Sequence, residues 1–328
     1  MTYHRRMVNQ WPPWQRRARR PPPPHLPILV AMLGALASSP GLADPIPEPP
    51  APYTTPWLLR SVTAANVARW DNVLALYENP TGLMGATYVS SVGGGYKIPH
   101  TGGPSEGVQL LARLTTAYDN PAGAPSAAIF ANPVLGAAYA HRLPRGFRVH
   151  AALSFTLPVG MGGGDSPDPA EAAVRGKAAL ARYGMDNSIF AVNDLTVIPG
   201  AAVAWVDRGW TVQAEATLFL LSRVRGAAAQ PEAFKVNFTT GLFVGYFVVP
   251  SYLSLGIELH YQRYFLGPAS ANTAPATIDN LTMAGGVRFH VPIGRTWLRC
   301  GVSYGGGLDD PMAAAHYNVL QLDCPFFF

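Results

Sequence analysis

The sequence is poor in charged residues, which make up 13% of its 328 positions, about half of the usual share. It is not poor in hydrophobic residues (48%), and it contains 33 glycines and 32 prolines. Abundant glycine and proline suit many short strands joined by turns better than a helical protein. The composition therefore favours an all-β fold.

Acidic residues are absent from the first 43 positions, which hold six arginines. Beyond them, 18 basic residues stand against 19 acidic ones, so the net charge of +5 belongs to this N-terminal stretch. The positive charge is therefore no sign of nucleic-acid binding, and we predict no nucleic-acid partner. The apolar stretch from Leu26 to Ala37 is too short to cross a bilayer, and small residues follow it up to Ala43. We predict a signal peptide over residues 1–43, with a permanent membrane anchor as the alternative.

Long hydrophobic runs are missing after residue 43, where no stretch of about 18 residues is entirely apolar. An exported chain without a transmembrane helix is a soluble periplasmic protein, a secreted protein or a β-barrel. Residues 44–56 are rich in proline, which predicts a stiff periplasmic segment. Residues 57–328 remain for one large domain.

Apolar residues alternate with polar ones, or β-forming residues predominate, in about a dozen segments of this domain. The segments are 70–78, 84–96, 108–118, 128–141, 147–157, 195–206, 210–223, 235–248, 252–265, 280–291, 296–305 and 316–328. Most have the length that a tilted membrane-crossing strand needs. Aromatic residues such as Trp70, Tyr77 and Trp210 recur near the segment ends, as in an interfacial girdle. A soluble β-sandwich would show the same alternation, so the pattern alone does not decide.

The connections between these segments favour a membrane barrel. Those after even-numbered segments are mostly short, at 142–146, 207–209, 250–251 and 292–295. Those after odd-numbered segments are mostly longer, at 120–127, 159–195, 226–234, 267–279 and 306–315, while 80–82 and 99–107 break the rule. Outer-membrane barrels have short periplasmic turns, long external loops and an even number of strands. We therefore predict an all-β, antiparallel up-and-down transmembrane barrel of about 12 strands, with 10 or 14 as alternatives, and both termini in the periplasm.

The longest predicted external loop covers residues 160–187. Asp168 is suited to an N-cap, Pro169 to the first helical position and Glu171 to the third, and Gly184 predicts the end. These residues predict a helix of about 13 residues. Two interpretations of the loop remain open, a lid or constriction at the barrel mouth and a solvated surface excursion.

Eleven polar or charged residues form the candidate site, since all fall on the polar face of the predicted strands. They are Arg113, Arg148, His150, Gln213, Glu215, Glu258, His260, Arg288, His290, Arg299 and Asp323. Unpaired burial of such groups in hydrocarbon is costly, so we predict that they face the lumen. There they would serve selectivity in a hydrated channel or form a salt-bridge network in a filled barrel. The set mixes signs, so it predicts no strong preference for anions or cations.

No catalytic or metal site is predicted. Gly301–Gly305 matches the G-x-S-x-G pattern, but Ser303 lies in a predicted strand without the strand–turn–helix context of a hydrolase. No Cys and His spacing fits a zinc site, and we predict no cofactor.

The two cysteines, Cys300 and Cys324, would face each other in a hairpin centred near Met312. A disulfide formed in the oxidising periplasm and two lipid-facing thiols both fit this arrangement. We slightly favour unpaired thiols, because a directly cross-strand bond is strained.

The chain ends on three phenylalanines, and the segment before them alternates. From about Trp57 onward it resembles the bacterial outer-membrane β-barrel superfamily, through the export signal, the alternating strands and the terminal phenylalanine. It looks most similar to medium-sized porin-like barrels and transporters linked to aromatic-compound degradation. The resemblance implies insertion by the outer-membrane assembly machinery, with Phe326 and Phe328 as the C-terminal signal. Asp323 and Pro325 depart from that signal.

The predicted function is a passive, porin-like channel for small solutes in the bacterial outer membrane, and not an enzyme. Its partners would be outer-membrane lipid, the assembly machinery and the solutes themselves. The alternatives are a non-conducting structural or adhesion barrel, an outer-membrane hydrolase and a soluble exported β-sandwich.

Overall fold

A single antiparallel sheet dominates the computed structural model, which describes residues 53–79, 81–226, 232–268 and 277–328. Its strands are β1 (Val67–Glu78), β2 (Met84–Lys97), β3 (Gly107–Asn120), β4 (Ala127–Phe130), β5 (Val134–Arg142), β6 (Phe147–Thr156), β7 (Asp194–Asp207), β8 (Trp210–Arg223), β9 (Phe234–Val249), β10 (Leu253–Leu266), β11 (Asp279–Phe289), β12 (Val291–Ile293), β13 (Thr296–Leu298), β14 (Gly301–Gly307) and β15 (Asn318–Phe327). Helices α1 (Pro169–Ala181) and α2 (Asn187–Phe190) lie between β6 and β7. The predicted signal peptide lies outside the described residues.

The sheet closes on itself, because β1 pairs with β15 from Val67 opposite Phe327 to Leu76 opposite Asn318. Three barrel strands are each interrupted once, so that β4 with β5, β11 with β12 and β13 with β14 make up one strand each. The result is a closed barrel of 12 strands. The predicted fold class is confirmed.

The two faces of the wall differ as the alternation predicts. In β8, Trp210 and Leu218 are exposed on the outside, whereas Gln213, Glu215 and Thr217 are buried on the inside. Closure pairs the backbone groups of the first and last strands, which an apolar surrounding requires. An apolar outer surface and a polar inner one are what a barrel in lipid needs.

Helix α1 begins at Pro169, as its cap residues predict. The Asp168 side chain accepts hydrogen bonds from the backbone N–H groups of Ala170 (2.8 Å) and Glu171 (3.2 Å). The helix has the predicted length of 13 residues, and Gly184 follows it with a φ of +72°. Within the described ranges, no helix is long and apolar enough to cross a membrane.

Pro325 does not interrupt the seam. It lies within β15 opposite Arg69, and its carbonyl accepts the backbone N–H of Arg299 at 2.9 Å. Pairing continues past it to Phe327, and the N–H of Phe328 donates to the carbonyl of Asn66 at 3.2 Å. The proline therefore costs the ladder one donor without opening the barrel.

The preference for two unpaired thiols is wrong, since Cys300 and Cys324 form a disulfide. The register of β14 with β15 places Gly301 opposite Asp323, and β13 continues it with Leu298 opposite Phe326. The cysteines therefore face each other across the two strands, as the hairpin centred near Met312 predicts. Their Cα atoms are 4.0 Å apart, close enough for the two sulfurs to bond.

Candidate functional site in the barrel lumen

Residues Tyr53–Ala65, here called the inner segment, precede β1 and lie inside the barrel. Trp57 and Leu59 are only 2% and 1% exposed. Of the predicted Pro-rich segment 44–56, residues 44–52 lie outside the described residues, and Tyr53–Pro56 are buried in the lumen. The physical reason is that the inner wall supplies hydrogen-bond partners for this stretch.

Glu258 on β10 holds the middle of the inner segment. Its carboxylate accepts the backbone N–H of Trp57 at 2.5 Å and that of Leu58 at 3.1 Å. The same carboxylate lies 2.7 Å from Nε2 of His260, whose Nδ1 is 3.3 Å from the Thr282 hydroxyl. Glu258 and His260, both predicted to face the lumen, thus form one buried hydrogen-bonded group.

Gln213 and Glu215 on β8 hold the next residues. Glu215 accepts the backbone N–H of Arg60 at 2.6 Å and its Nη1 at 3.0 Å, and Nη1 also donates to Thr217 at 2.6 Å. Gln213 accepts the Tyr53 hydroxyl at 2.8 Å and donates to the carbonyl of Arg60 at 2.7 Å. Side chains of β8 thus bind both the start and the middle of the inner segment.

Asp323 on β15 lies between two arginines. Arg288 Nη2 is 2.5 Å from one carboxylate oxygen, and Arg69 Nε is 2.6 Å from the other. Arg288 Nε also donates to the carbonyl of Thr55 at 3.1 Å, and Arg299 Nη1 donates to the Thr55 hydroxyl at 3.3 Å. These guanidiniums join the seam of the barrel to the inner segment.

Three further candidate residues lie on the same inner wall. Arg148 covers the ring of Tyr53 at 5.3 Å, and His290 Nε2 is 2.9 Å from the Ser254 hydroxyl. His150 is 5% exposed, and its Nδ1 has no partner within the described residues. Two of the three therefore belong to the packing of the lumen, and His150 keeps a free ring nitrogen.

The long loop folds inward and is held by two arginines. Arg113 Nη2 lies 2.8 Å from Asp186, and Arg182 Nε lies 2.8 Å from the same carboxylate. Arg182 also pairs with Asp71 on β1. Burial alone would raise the pKa of Asp186, but the Arg113 and Arg182 guanidiniums outweigh it and hold that pKa below its usual value.

Helix α1 packs against the inside of β1 to β4. Its residue Lys177 places Nζ 4.0 Å from the ring centre of Tyr77, which stacks on Tyr317 at 5.2 Å. Tyr77 was expected in the outer girdle, but it is fully buried inside and bonds Asp119 at 3.0 Å. The long loop thus packs against the inner face of the wall instead of extending into solvent.

A cavity of about 270 Å³ remains between the inner segment and the long loop. Leu59 and Arg60 line it from the inner segment, and Arg182 and Met185 line it from the loop. His150 lies on its wall. The lumen is therefore filled from two directions around one internal space.

Five charged residues outside the candidate set complete this network, namely Arg60, Arg69, Asp71, Arg182 and Asp186. Arg60 lies in the inner segment, and Arg182 and Asp186 lie in the loop beyond α1, so these three have no strand period to reveal them. Arg69 and Asp71 lie on β1. One signal was available, since three consecutive apolar residues, Trp57 to Leu59, are unusual in a solvated linker.

The G-x-S-x-G stretch has no elbow geometry. Gly301–Gly305 lies within β14, and Ser303 is 1% exposed. The hydroxyl of Ser303 has no hydrogen-bond partner in the part of the chain that the structure describes. A nucleophile needs an adjacent base and access to substrate, and Ser303 has neither there.

Comparison with solved structures finds proteins that are similar to this chain. The COG4313 outer-membrane channel from Pseudomonas putida F1 is 14% identical, with a TM-score of 0.53 over 84% of this chain and 100% of that chain. The KdgM porin in complex with disordered oligogalacturonate is 8% identical, with a TM-score of 0.44 over 79% of this chain and 99% of that one. The translocator domain of the autotransporter NalP from Neisseria meningitidis is 12% identical, with a TM-score of 0.44 over 92% and 95%.

No family model matches the chain, and no curated protein matches its sequence. At these identities the likeness concerns the fold alone. The chain thus has a closed 12-stranded β-barrel fold, similar to that of the COG4313 outer-membrane channel.

Proposed function

We propose that the chain is a passive channel for small solutes in a bacterial outer membrane, with both termini in the periplasm. The observation that carries this proposal is the closed barrel with an apolar outside and a polar inside. Such a barrel is stable in lipid and offers solutes a polar route. The likeness to outer-membrane channels supports the same location.

In this proposal the inner segment closes the channel. Glu258, Gln213 and Glu215 hold it through side-chain hydrogen bonds and one ion pair, and in the part of the chain that the structure describes none of its residues belongs to a strand. It can therefore leave the lumen without opening the barrel wall. The internal cavity marks part of the route.

Conductance in planar bilayers tests the proposal. The full-length chain is expected to give small or infrequent openings, and a variant lacking residues 53–63 is expected to give a larger and steadier current. Heat-modifiable gel migration must first establish that both proteins are folded. No current from either folded protein would remove the channel function.

The filled lumen favours one competing function, a non-conducting structural or adhesion barrel. Arg288, Asp323 and Arg69 form an internal salt-bridge chain of the kind that such a barrel would keep. This alternative predicts that the variant without residues 53–63 becomes unstable and still conducts nothing.

A further inference from the structure

The internal cavity is lined by more positively than negatively charged side chains. Four guanidiniums line the cavity, those of Arg60, Arg69, Arg113 and Arg182. Three carboxylates also line it, those of Asp71, Asp186 and Glu215. The cavity wall therefore carries one more formal positive charge than negative charge.

Exposure strengthens this imbalance. The side chains of Arg60 and Arg69 are 25% and 28% exposed, whereas their partners Glu215 and Asp323 are 8% and 0% exposed. The two carboxylates are thus buried by their contacts, whereas each guanidinium remains partly exposed. The charge that a solute would meet in the cavity is cationic.

The unused donors can be named. Arg60 donates to protein through Nη1, and Arg69 through Nε and Nη2. Within the described residues, Nε and Nη2 of Arg60 and Nη1 of Arg69 have no side-chain or backbone acceptor. His150, on the same wall, keeps an unpartnered Nδ1. A guanidinium has five N–H donors in a planar fork that fits a carboxylate.

Apolar side chains make up another part of the lining. Leu59, Met185, Ile189, Ile198 and Phe219 all border the cavity. They would cover a short hydrocarbon chain but give an inorganic anion no contact of value. The cavity thus combines an anion-binding part with an apolar part.

We infer that this cavity binds small organic monocarboxylates, with the carboxylate on Arg60 and Arg69 and the hydrocarbon part against the apolar wall. The inference rests on the proposed channel function, since it names the class of solute that the channel would take up. A cation of the same size is rejected, because the uncovered charges repel it.

Calorimetric titration of the folded, full-length protein in detergent tests the inference. The probes are hexanoate, hexylammonium and inorganic phosphate, which separate the charge from the hydrocarbon chain. Hexanoate is expected to bind at least about tenfold more tightly than either of the others. Equal binding of hexanoate and hexylammonium, or of hexanoate and phosphate, would overturn the inference.

Two variants with opposite expected effects locate the site. Arg60→Gln should weaken hexanoate binding by about tenfold, because it removes the positive charge and the planar fork of the guanidinium. Glu215→Gln should strengthen it, because it releases the Arg60 guanidinium from its ion pair; a merely damaged fold would weaken both. Arg263→Gln is the matched control, since Arg263 pairs with Asp279 at 3.0 Å and does not line the cavity.

The outcomes for binding and for conductance are independent. Hexanoate binding without current would remove the channel function and leave the binding site. Current without selective hexanoate binding would leave the channel and overturn the inferred solute class. Unchanged binding in Arg60→Gln would place the site elsewhere and contradict the inference.

Discussion

At the scale of single residues, Glu258 holds the middle of the inner segment. Two consecutive backbone N–H groups, those of Trp57 and Leu58, donate to its carboxylate, and His260 holds the second oxygen. Hydrogen bonds to a charged acceptor are the stronger kind. A single side chain therefore holds the part of the segment that lies deepest among apolar neighbours such as Phe243.

Glu258→Gln is expected to loosen the inner segment without changing the shape of the wall. Loss of the charge should weaken docking by about 1.5 kcal/mol, or roughly tenfold in the docked-to-undocked ratio. Single-channel recording should show a higher open fraction. Asp207→Asn, at an exposed turn, is the control and should not change it. An unchanged open fraction in Glu258→Gln would show that Glu258 does not hold the inner segment in the lumen.

The sequence predicts which residues face inward but not their partners. Glu215 and Glu258 stand out because their strands alternate with period two. Their main partners, Arg60 and the backbone of Trp57, belong to a segment without any period. Only the folded barrel brings these positions together, because they are more than 150 residues apart in the chain.

At the scale of elements, the sequence predicts helix α1 but not its packing against the inside of the barrel wall. Asp168 and Pro169 mark its start through local capping, which is independent of the rest of the fold. The direction in which the loop folds is decided by Arg182 and Asp186, whose partners Asp71 and Arg113 lie on β1 and β3. A solvated loop and an inward loop have the same caps, so the sequence leaves both open.

Asp186→Asn is expected to release the long loop. Removing the charge from this partly buried group should cost about 2 kcal/mol, or roughly thirtyfold faster amide hydrogen exchange in α1. Asp168→Asn is the matched control, because asparagine keeps the N-cap and the residue lies outside the ion pairs. Equal exchange in both variants would show that the Asp186 charge does not hold the loop.

The direction of the pKa shift of Asp186 determines how its contact with Arg113 and Arg182 depends on pH. Because the folded pKa of Asp186 lies below its unfolded value of about 4, the pair stabilises the docked loop at all higher pH. This stabilisation is lost only as the pH falls through the folded pKa. Exchange in α1, corrected for its intrinsic pH dependence, should therefore not differ between pH 8 and pH 5.

At the scale of the whole molecule, closure of the barrel is the most predictable feature. The alternating segments and the lengths of their connections favour a closed sheet with an even number of strands, and β1 pairs with β15 through Pro325. Three of the barrel strands are interrupted, at residues 131–133, 290 and 299–300. The sequence does not predict these interruptions, because the alternation of apolar and polar residues continues on either side of each. The filling of the lumen also depends on contacts that join distant parts of the chain.

The orientation of the barrel in the membrane gives the last prediction. The tight turn at Arg295 lies at the same rim as the start of β1 and the end of β15. Ala124 lies in the connection between β3 and β4, at the opposite rim. Both residues are exposed, and the native cysteines are paired and cannot be labelled. With periplasmic termini, an impermeant maleimide should label Ala124→Cys on intact cells. It should label Arg295→Cys only after the outer membrane is permeabilised, and the reverse pattern would contradict the proposed orientation.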